Sequence, residues 1–436
     1  MLRRIPALTL LVFLGPAVAG LIGTWLPSVG IMPVLGGTEL SFEPWRRLIA
    51  EPGLGGAVHL TLTTGFAATA ISLAIVLGFL ATCHGTPAVI AVRRLLAPLL
   101  AVPHVAVAIG FAFLVSPSGW AARAVSPWLT GWDRPPDIAS APDAFGIALV
   151  CGLVLKEVPF LLLMSLAALG QVPANRTLAV ARSLGYGRAT AWLKTVLPLV
   201  WPQIRLPVYA VLAYSLSVVD MALVLAPGAP PPLAPLVLRW FNDPDLSRHF
   251  VAAAGATLQF AIVAGSIAGL ALVERLVARA GRRWIAGGGR GGAGHGGRRV
   301  AIAAMVGVYA FGIAGIAGMA VWSVARRWRY PDFLPSDWTG GNWLRQAGAL
   351  AWPAWTTISV ALAAALIAVA LVLGCLENEQ RHGVSPSGRA LWLLYMPLLA
   401  PQVGFLFGVQ VLLLTVGLDG AWIALVWSHL LFVLPY

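Results

Sequence analysis

"LTLTTGFAATAISLAIVLGFL", residues 60–80, contains no charged residue. It is as long as a helix must be to cross a hydrocarbon core, about 20 residues. Runs of this kind recur along the chain. They fall at 5–26, 57–82, 95–115, 144–169, 206–227, 250–273, 300–323, 351–376 and 390–415, and another starts near 421. Only 10% of the 436 residues are charged, against about 25% in a soluble domain. The chain therefore reads as an all-α, polytopic integral membrane protein.

The quoted run is also written twice. It matches "TTISVALAAALIAVALVLGCL" (356–376), with Gly78 on Gly374. "APLLAVPHVAVAIGF" (97–111) matches "MPLLAPQVGFLFGV" (396–409), with Gly110 on Gly408. "IALVCGLVLKEVPF" (147–160) matches "IALVWSHLLFVLPY" (423–436), with Pro159 on Pro435. Residues 1–273 thus read as a first six-helix domain and 300–436 as a second, shorter one. Six spans return a chain to its starting side, so the copies share one orientation, a parallel repeat of the kind found in transporters. The Gly- and Arg-rich segment 274–299 joins them, and its glycines predict flexibility. The second copy stops at the counterpart of Phe160. The pattern predicts a natural chain that continues past Tyr436 into a second basic loop and further spans.

Charge sets the orientation. With Arg3 and Arg4 inside and the spans alternating, inner segments hold 18 basic and 3 acidic residues, and outer segments 10 and 11. The excess of Lys and Arg belongs on the cytoplasmic side, so the N-terminus is expected there. The net charge of +13 then reflects topology and anionic lipid rather than nucleic acid. Arg326, Arg327 and Arg329 are the exception, in an outer loop. The first run also fits a signal peptide with Ala17 and Ala19 at a cleavage site, but the repeat favours a retained helix. Cys83, Cys151 and Cys375 are odd in number and spaced for neither disulfides nor zinc, and read as packing residues.

"LAVARSLGYGRATAWLKTVLPLV" (178–200) lies between two spans and carries Arg182, Arg188 and Lys194 with no acid. Ala189, Trp192, Leu193 and Val196 follow the i, i+3, i+4, i+7 spacing of one helix face. Gly185 and Gly187 suit a turn. Pro198 is placed to end the second helix, because the residue before proline avoids the α region. The expected product is a pair of short helices with an apolar ridge and basic flanks, presented to a partner or to the membrane.

This stretch resembles the EAA loop of ABC importer permeases, whose pattern is E-A-A, three residues, G, nine residues, I, one residue, L-P. Ala179 stands at the glutamate, Val180 and Ala181 at the alanines, and Gly185 at the glycine. Thr195 stands at the isoleucine, and Leu197 and Pro198 at the final pair. The glutamate is absent and the spacing is kept. With the duplication, the chain is similar to the single-chain permeases of thiamine and ferric-iron importers and to an enterobacterial fused permease of thiamine type. The resemblance implies a transport subunit of the bacterial inner membrane. Two copies of a separate ABC ATPase would dock at the loops, with Trp192 heading the ridge, and a periplasmic solute-binding protein would deliver the solute. The implied solute is a small cation such as thiamine or ferric iron. No Walker motif occurs, and no Gly in the linker is followed by Lys-Ser or Lys-Thr. ATP hydrolysis is therefore expected on the partner, and the chain itself calls for no cofactor, metal or catalytic residue.

Ionisable residues inside spans are costly and tend to face protein or water. Asp220, midway along the run after the loop, is a candidate for the translocation path, with Glu157 and Ser217. The alternative for Asp220 is an interhelical hydrogen bond. Lys156 and Glu157 are adjacent and cannot face each other on a helix. Lys156 is expected to pair with another span, His104 beside Pro103 to pack at a kink, and Pro159 to bend its helix. The rival reading, a twelve-helix secondary transporter, is also built from parallel halves, but the EAA spacing argues against it. An intramembrane enzyme would need a clustered nucleophile and base or a set of metal ligands, and no such motif is written here.

Overall fold

The computed structural model describes residues 4–292, 295–383 and 400–434. Pro435 and the start of the run at 390 lie outside the described residues. In chain order the helices are α1 (Ile5–Ser28), α2 (Glu43–Ala50), α3 (Leu54–Cys83), α4 (Pro87–Arg94), α5 (Leu96–Ala101) and α6 (His104–Val115). Then come α7 (Trp120–Val125), α8 (Ile147–Gly170), α9 (Ala174–Ser183), α10 (Arg188–Ala191), α11 (Leu197–Ser217) and α12 (Ala222–Leu225). The rest are α13 (Leu233–Phe241), α14 (Arg248–Ala286), α15 (His295–Ser323), α16 (Gly341–His382), α17 (Gln402–Thr415) and α18 (Trp422–Val433). The strands β1 (Ala325–Arg327) and β2 (Asp337–Trp338) form a small antiparallel pair.

Among the described residues, 8 helical stretches are long and apolar enough to cross a membrane, and α17 and α18 are shorter apolar helices. Helices suit this setting because every backbone N–H and C=O between their ends is satisfied within the segment. Two expected spans are interrupted. The run at 95–115 breaks between α5 and α6, where Pro103 has no N–H to offer. The run at 206–227 is not one helix either. α11 starts earlier, at Leu197, and ends at Ser217, and Val218 turns extended with ψ 134°. Asp220 thus lies in the turn before α12 and not midway along a helix.

Contacts gather the chain into two compact units. One holds Met1–Ala57, Leu233–Ala264 and Gly341–Tyr436, and the other Val58–Pro232 and Gly265–Gly340. These units cut across the sequence copies: the first takes α1, α2, α13 and the start of α14 from residues 1–273, and the second takes α15 from residues 300–436. In the first unit α1 packs along α17. A Cβ on Gly408 would overlap the Gly20 carbonyl, and one on Gly23 would lie 3.0 Å from Gly408 Cα. Thr24 Oγ1 donates to Gly20 O at 3.0 Å and also contacts Gly404 O. Phe13, Leu21, Phe405 and Val409 are buried around this crossing. In the second unit α15 packs along α6. A Cβ on Gly110 would come within 2.9 Å of the Gly315 carbonyl carbon, and one on Gly315 within 3.0 Å of the Gly110 carbonyl carbon. Small residues permit this close approach of helices in lipid, where packing rather than water exclusion drives association.

α8 is the most enclosed candidate span, with 67% of its apolar window buried, and α16 the least, with 17%. α16 turns Leu362, Leu366 and Leu373 outward, a surface suited to lipid. Cys83 is buried, as a packing residue should be, but Cys151 is exposed on α8. The arginine-rich loop that carries Arg326, Arg327 and Arg329 is ordered around a residue that the sequence did not mark. Arg123 of α7 is buried, and its guanidinium donates to Ser118 O (2.8 Å), Arg329 O (2.6 Å) and Asp332 O (2.8 Å). It also lies over the rings of Trp328 (5.1 Å) and Tyr330 (5.4 Å).

Candidate functional site

The segment from Ala174 to Val196 folds as helix, turn and helix. α9 closes with Gly185 left-handed at φ +83°. Gly185 N–H bonds Arg182 O (3.0 Å) and Tyr186 N–H bonds Ala181 O (3.2 Å), the pair of reversed bonds that satisfies a helix's last carbonyls. An L side chain at Gly185 would be strained, so the glycine does what its spacing predicted.

The second half departs from expectation. α10 does not stop at Pro198. It passes through a π-helical turn, Trp192–Val196, in which Leu197 N–H reaches Trp192 O, and continues directly as α11. Pro198 follows the π turn directly, so its missing N–H falls where the helical hydrogen-bond ladder already shifts from i−5 to i−4. The apolar ridge is also not presented to a partner. Trp192 and Val196 are 0% exposed within the core of their own unit, and Ala189 and Leu193 are half-buried against it. The surface left open is on α9 and its turn: Ala179, Val180, Leu184 and Gly185 are exposed, as is Pro198, while Ala181 is buried. Thr195 spends its hydroxyl on Ala191 O at 2.7 Å, and Leu197 is half-buried.

Lys194, expected as a basic flank, is buried. Its ammonium donates to Trp284 O (2.9 Å) and Gly289 O (2.8 Å) and lies 4.7 Å from the Trp284 ring centre and 5.4 Å from that of Tyr186. Gly187 N–H donates to Arg290 O at 2.9 Å. A Cβ on Gly291, at φ +67°, would overlap the Thr190 side chain. The described part of the linker is therefore not loose. α14 carries it as helix to Ala286, and residues 287–292 are fastened onto the turn. Its glycines are there for close approach as much as for freedom.

The ionisable residues inside the spans separate into two settings. Lys156 of α8 donates to Leu99 O (3.1 Å), Leu100 O (3.3 Å) and Val102 O (2.8 Å). These carbonyls end α5 and have no helical N–H beyond them. An ammonium with three donors matches them in number, and Lys156 thus finds its expected pairing in the break at Pro103. Glu157 is buried beside it. In the turn after α11, Asp220 accepts a hydrogen bond from Tyr214 Oη at 3.2 Å, and the Tyr214 ring stands 4.8 Å from that of His104. Ser217 bonds Ala213 O within its own helix at 2.7 Å. The structure therefore groups Asp220 with Tyr214 and His104.

Long apolar helices crossing at glycines, with a helix–turn–helix segment set between two of them, define a multi-pass α-helical membrane protein. No protein-family model matches the chain. It is 30% identical over 400 residues to the inner membrane ABC transporter permease protein YnjC of Escherichia coli (strain K12), across 91% of this chain and 70% of that protein. The chain belongs to the inner membrane ABC transporter permeases. It is thus a multi-pass inner-membrane transport subunit rather than an enzyme.

Proposed function

We propose that the chain forms the solute path of a binding-protein-dependent importer, as two permease domains fused in parallel with the N-terminus in the cytoplasm. A separate ABC ATPase, in two copies, drives it, and a periplasmic binding protein feeds it. The ATPase docks on the open face of α9 and its turn, around Ala179, Val180 and Gly185. The observation that carries this reading is the exposed α9 with its glycine-closed turn, made rigid below by Trp192 and Lys194. Thr195, Leu197 and Pro198 belong to the same lever, because α10 runs through the π turn into the spanning α11. A push on the turn is transmitted along one continuous rod.

That rod ends at Ser217, three residues before Asp220. The lever and the path are in this way joined through α11. Asp220, with Glu157 and Ser217 as further lining, suits a small cationic solute such as thiamine or ferric iron, and support for this comes from the two acids inside the membrane region. The test is Gly185→Val in the chain reconstituted with its ATPase. ATP hydrolysis should continue while solute uptake falls, with membrane insertion unchanged. Wild-type uptake by this variant would overturn the assignment of the loop.

A further inference from the structure

Beside α9 lies a cleft of about 200 Å³ whose wall includes His84, Asn175, Ala179, Arg182, Arg188 and Trp192. Its polar groups are almost all donors. Arg188 gives one hydrogen bond to His84 O, and His84 Nε2 lies 3.0 Å from Asn175 Oδ1, which leaves the Asn175 amide nitrogen to donate elsewhere. Trp192 is 0% exposed, yet its indole Nε1–H has no acceptor. An unmet buried donor is costly and calls for an explanation. Among the described residues no carboxylate forms an ion pair with Arg182 or Arg188. The charges acting on Arg188 from nearby arginines, Arg182 and Arg298, have the same sign as its own. The cleft is a cluster of cations and N–H donors without an anion of its own, and at its rim stands the methyl group of Ala179.

We propose that this cleft receives a carboxylate side chain from the docked ATPase. The inference rests on the docking surface proposed above and adds the chemistry of its central contact: the acid comes from the partner and the bases from the permease. A carboxylate accepts from guanidinium and N–H donors together, in charge-assisted bonds stronger than neutral ones. The walls formed by Ala81, Leu178 and Ala179 suit the methylene stem of an acidic residue. The volume, about that of seven waters at roughly 30 Å³ each, gives room for one acidic side chain.

The experiment measures binding of the cognate ATPase to the full chain in nanodiscs of phosphatidylcholine. Arg182→Ala should weaken binding about tenfold, the scale of one interfacial charge contact. Ala179→Glu should weaken it as much, because its own carboxylate would fill the cleft from within. Replacing one ATPase acid with lysine should restore binding to Arg182→Glu. Arg182 is exposed, so its variants test the contact without disturbing the core. Wild-type affinity for both Arg182→Ala and Ala179→Glu would overturn the proposal while leaving the docking surface standing. A loss seen only when phosphatidylglycerol is present would overturn it in favour of a lipid headgroup. Failure of the wild-type chain to bind the ATPase at all would remove the docking surface, and this inference with it.

Discussion

Gly110 meets Gly315 in one unit, and Gly408 meets Gly20 in the other. In both, a helix that opens a sequence copy lies against the third run of the copy it does not belong to. Behind these matching crossings the fourth runs differ. α8 carries Lys156 and Glu157, and at the same places in the repeat α18 carries Phe432 and Val433. Phe432 packs its ring 5.9 Å from that of Phe405. Lys156 instead feeds the open carbonyls at the end of α5. The crossing depends on backbone approach, which only small residues allow, so it is written the same way in both copies. The support behind it depends on local satisfaction, and a cation or an aromatic ring can each supply it.

The largest expected effect tests whether the supports are interchangeable. Lys156→Phe gives α8 the residue of α18 but takes the donor from one buried and two part-buried carbonyls, at a cost of about 4 kcal/mol. Thermal unfolding of the purified chain in detergent should show it, and wild-type stability would mean that the carbonyls find other partners. Next come the crossings. Gly110→Leu and Gly408→Leu should each destabilise by about 2–3 kcal/mol through overpacking, and a loss confined to one would break the equivalence of the two units. Arg123→Ala should loosen the loop between β1 and β2 by about 2 kcal/mol, read as faster proteolysis there. Arg123→Lys should not restore it, because an ammonium lacks the planar fork that meets several carbonyls and stacks on rings. The smallest effect belongs to Ser217→Ala, about 1 kcal/mol, because that buried hydroxyl bonds only along its own helix. Uptake separates this from the proposed lining role: unchanged uptake in Ser217→Ala would take its hydroxyl off the solute path.

The spans could be read because lipid imposes a length that a run such as 60–80 announces by itself. The turn at Gly185 was legible for a similar reason, since a left-handed backbone selects for glycine. The fate of Trp192 and Val196 was not. Periodicity shows that a helix has an apolar face, but not whether the protein's own core or a partner covers it. The linker misled in the same way, since glycines at 287–292 give either freedom or close approach. Only the fold reveals that Lys194 and Gly187 hold them. Arg123 and the donor cleft are assembled from residues far apart in the chain, His84 with Arg188 and Arg123 with Asp332, so no local pattern signals them.

The exchanged first helices bear on how the chain is made. Gly20 of α1 is synthesised about 390 residues before Gly408, and at roughly 5–20 residues per second that is a delay of about 20–80 s. Through that interval the glycine face of α1 is without its final neighbour. α6 likewise waits for α15, though for a shorter time. The order of synthesis is thus not the order of packing. Insertion of each span can be immediate, while the first unit closes around α1 only when α17 has entered the bilayer.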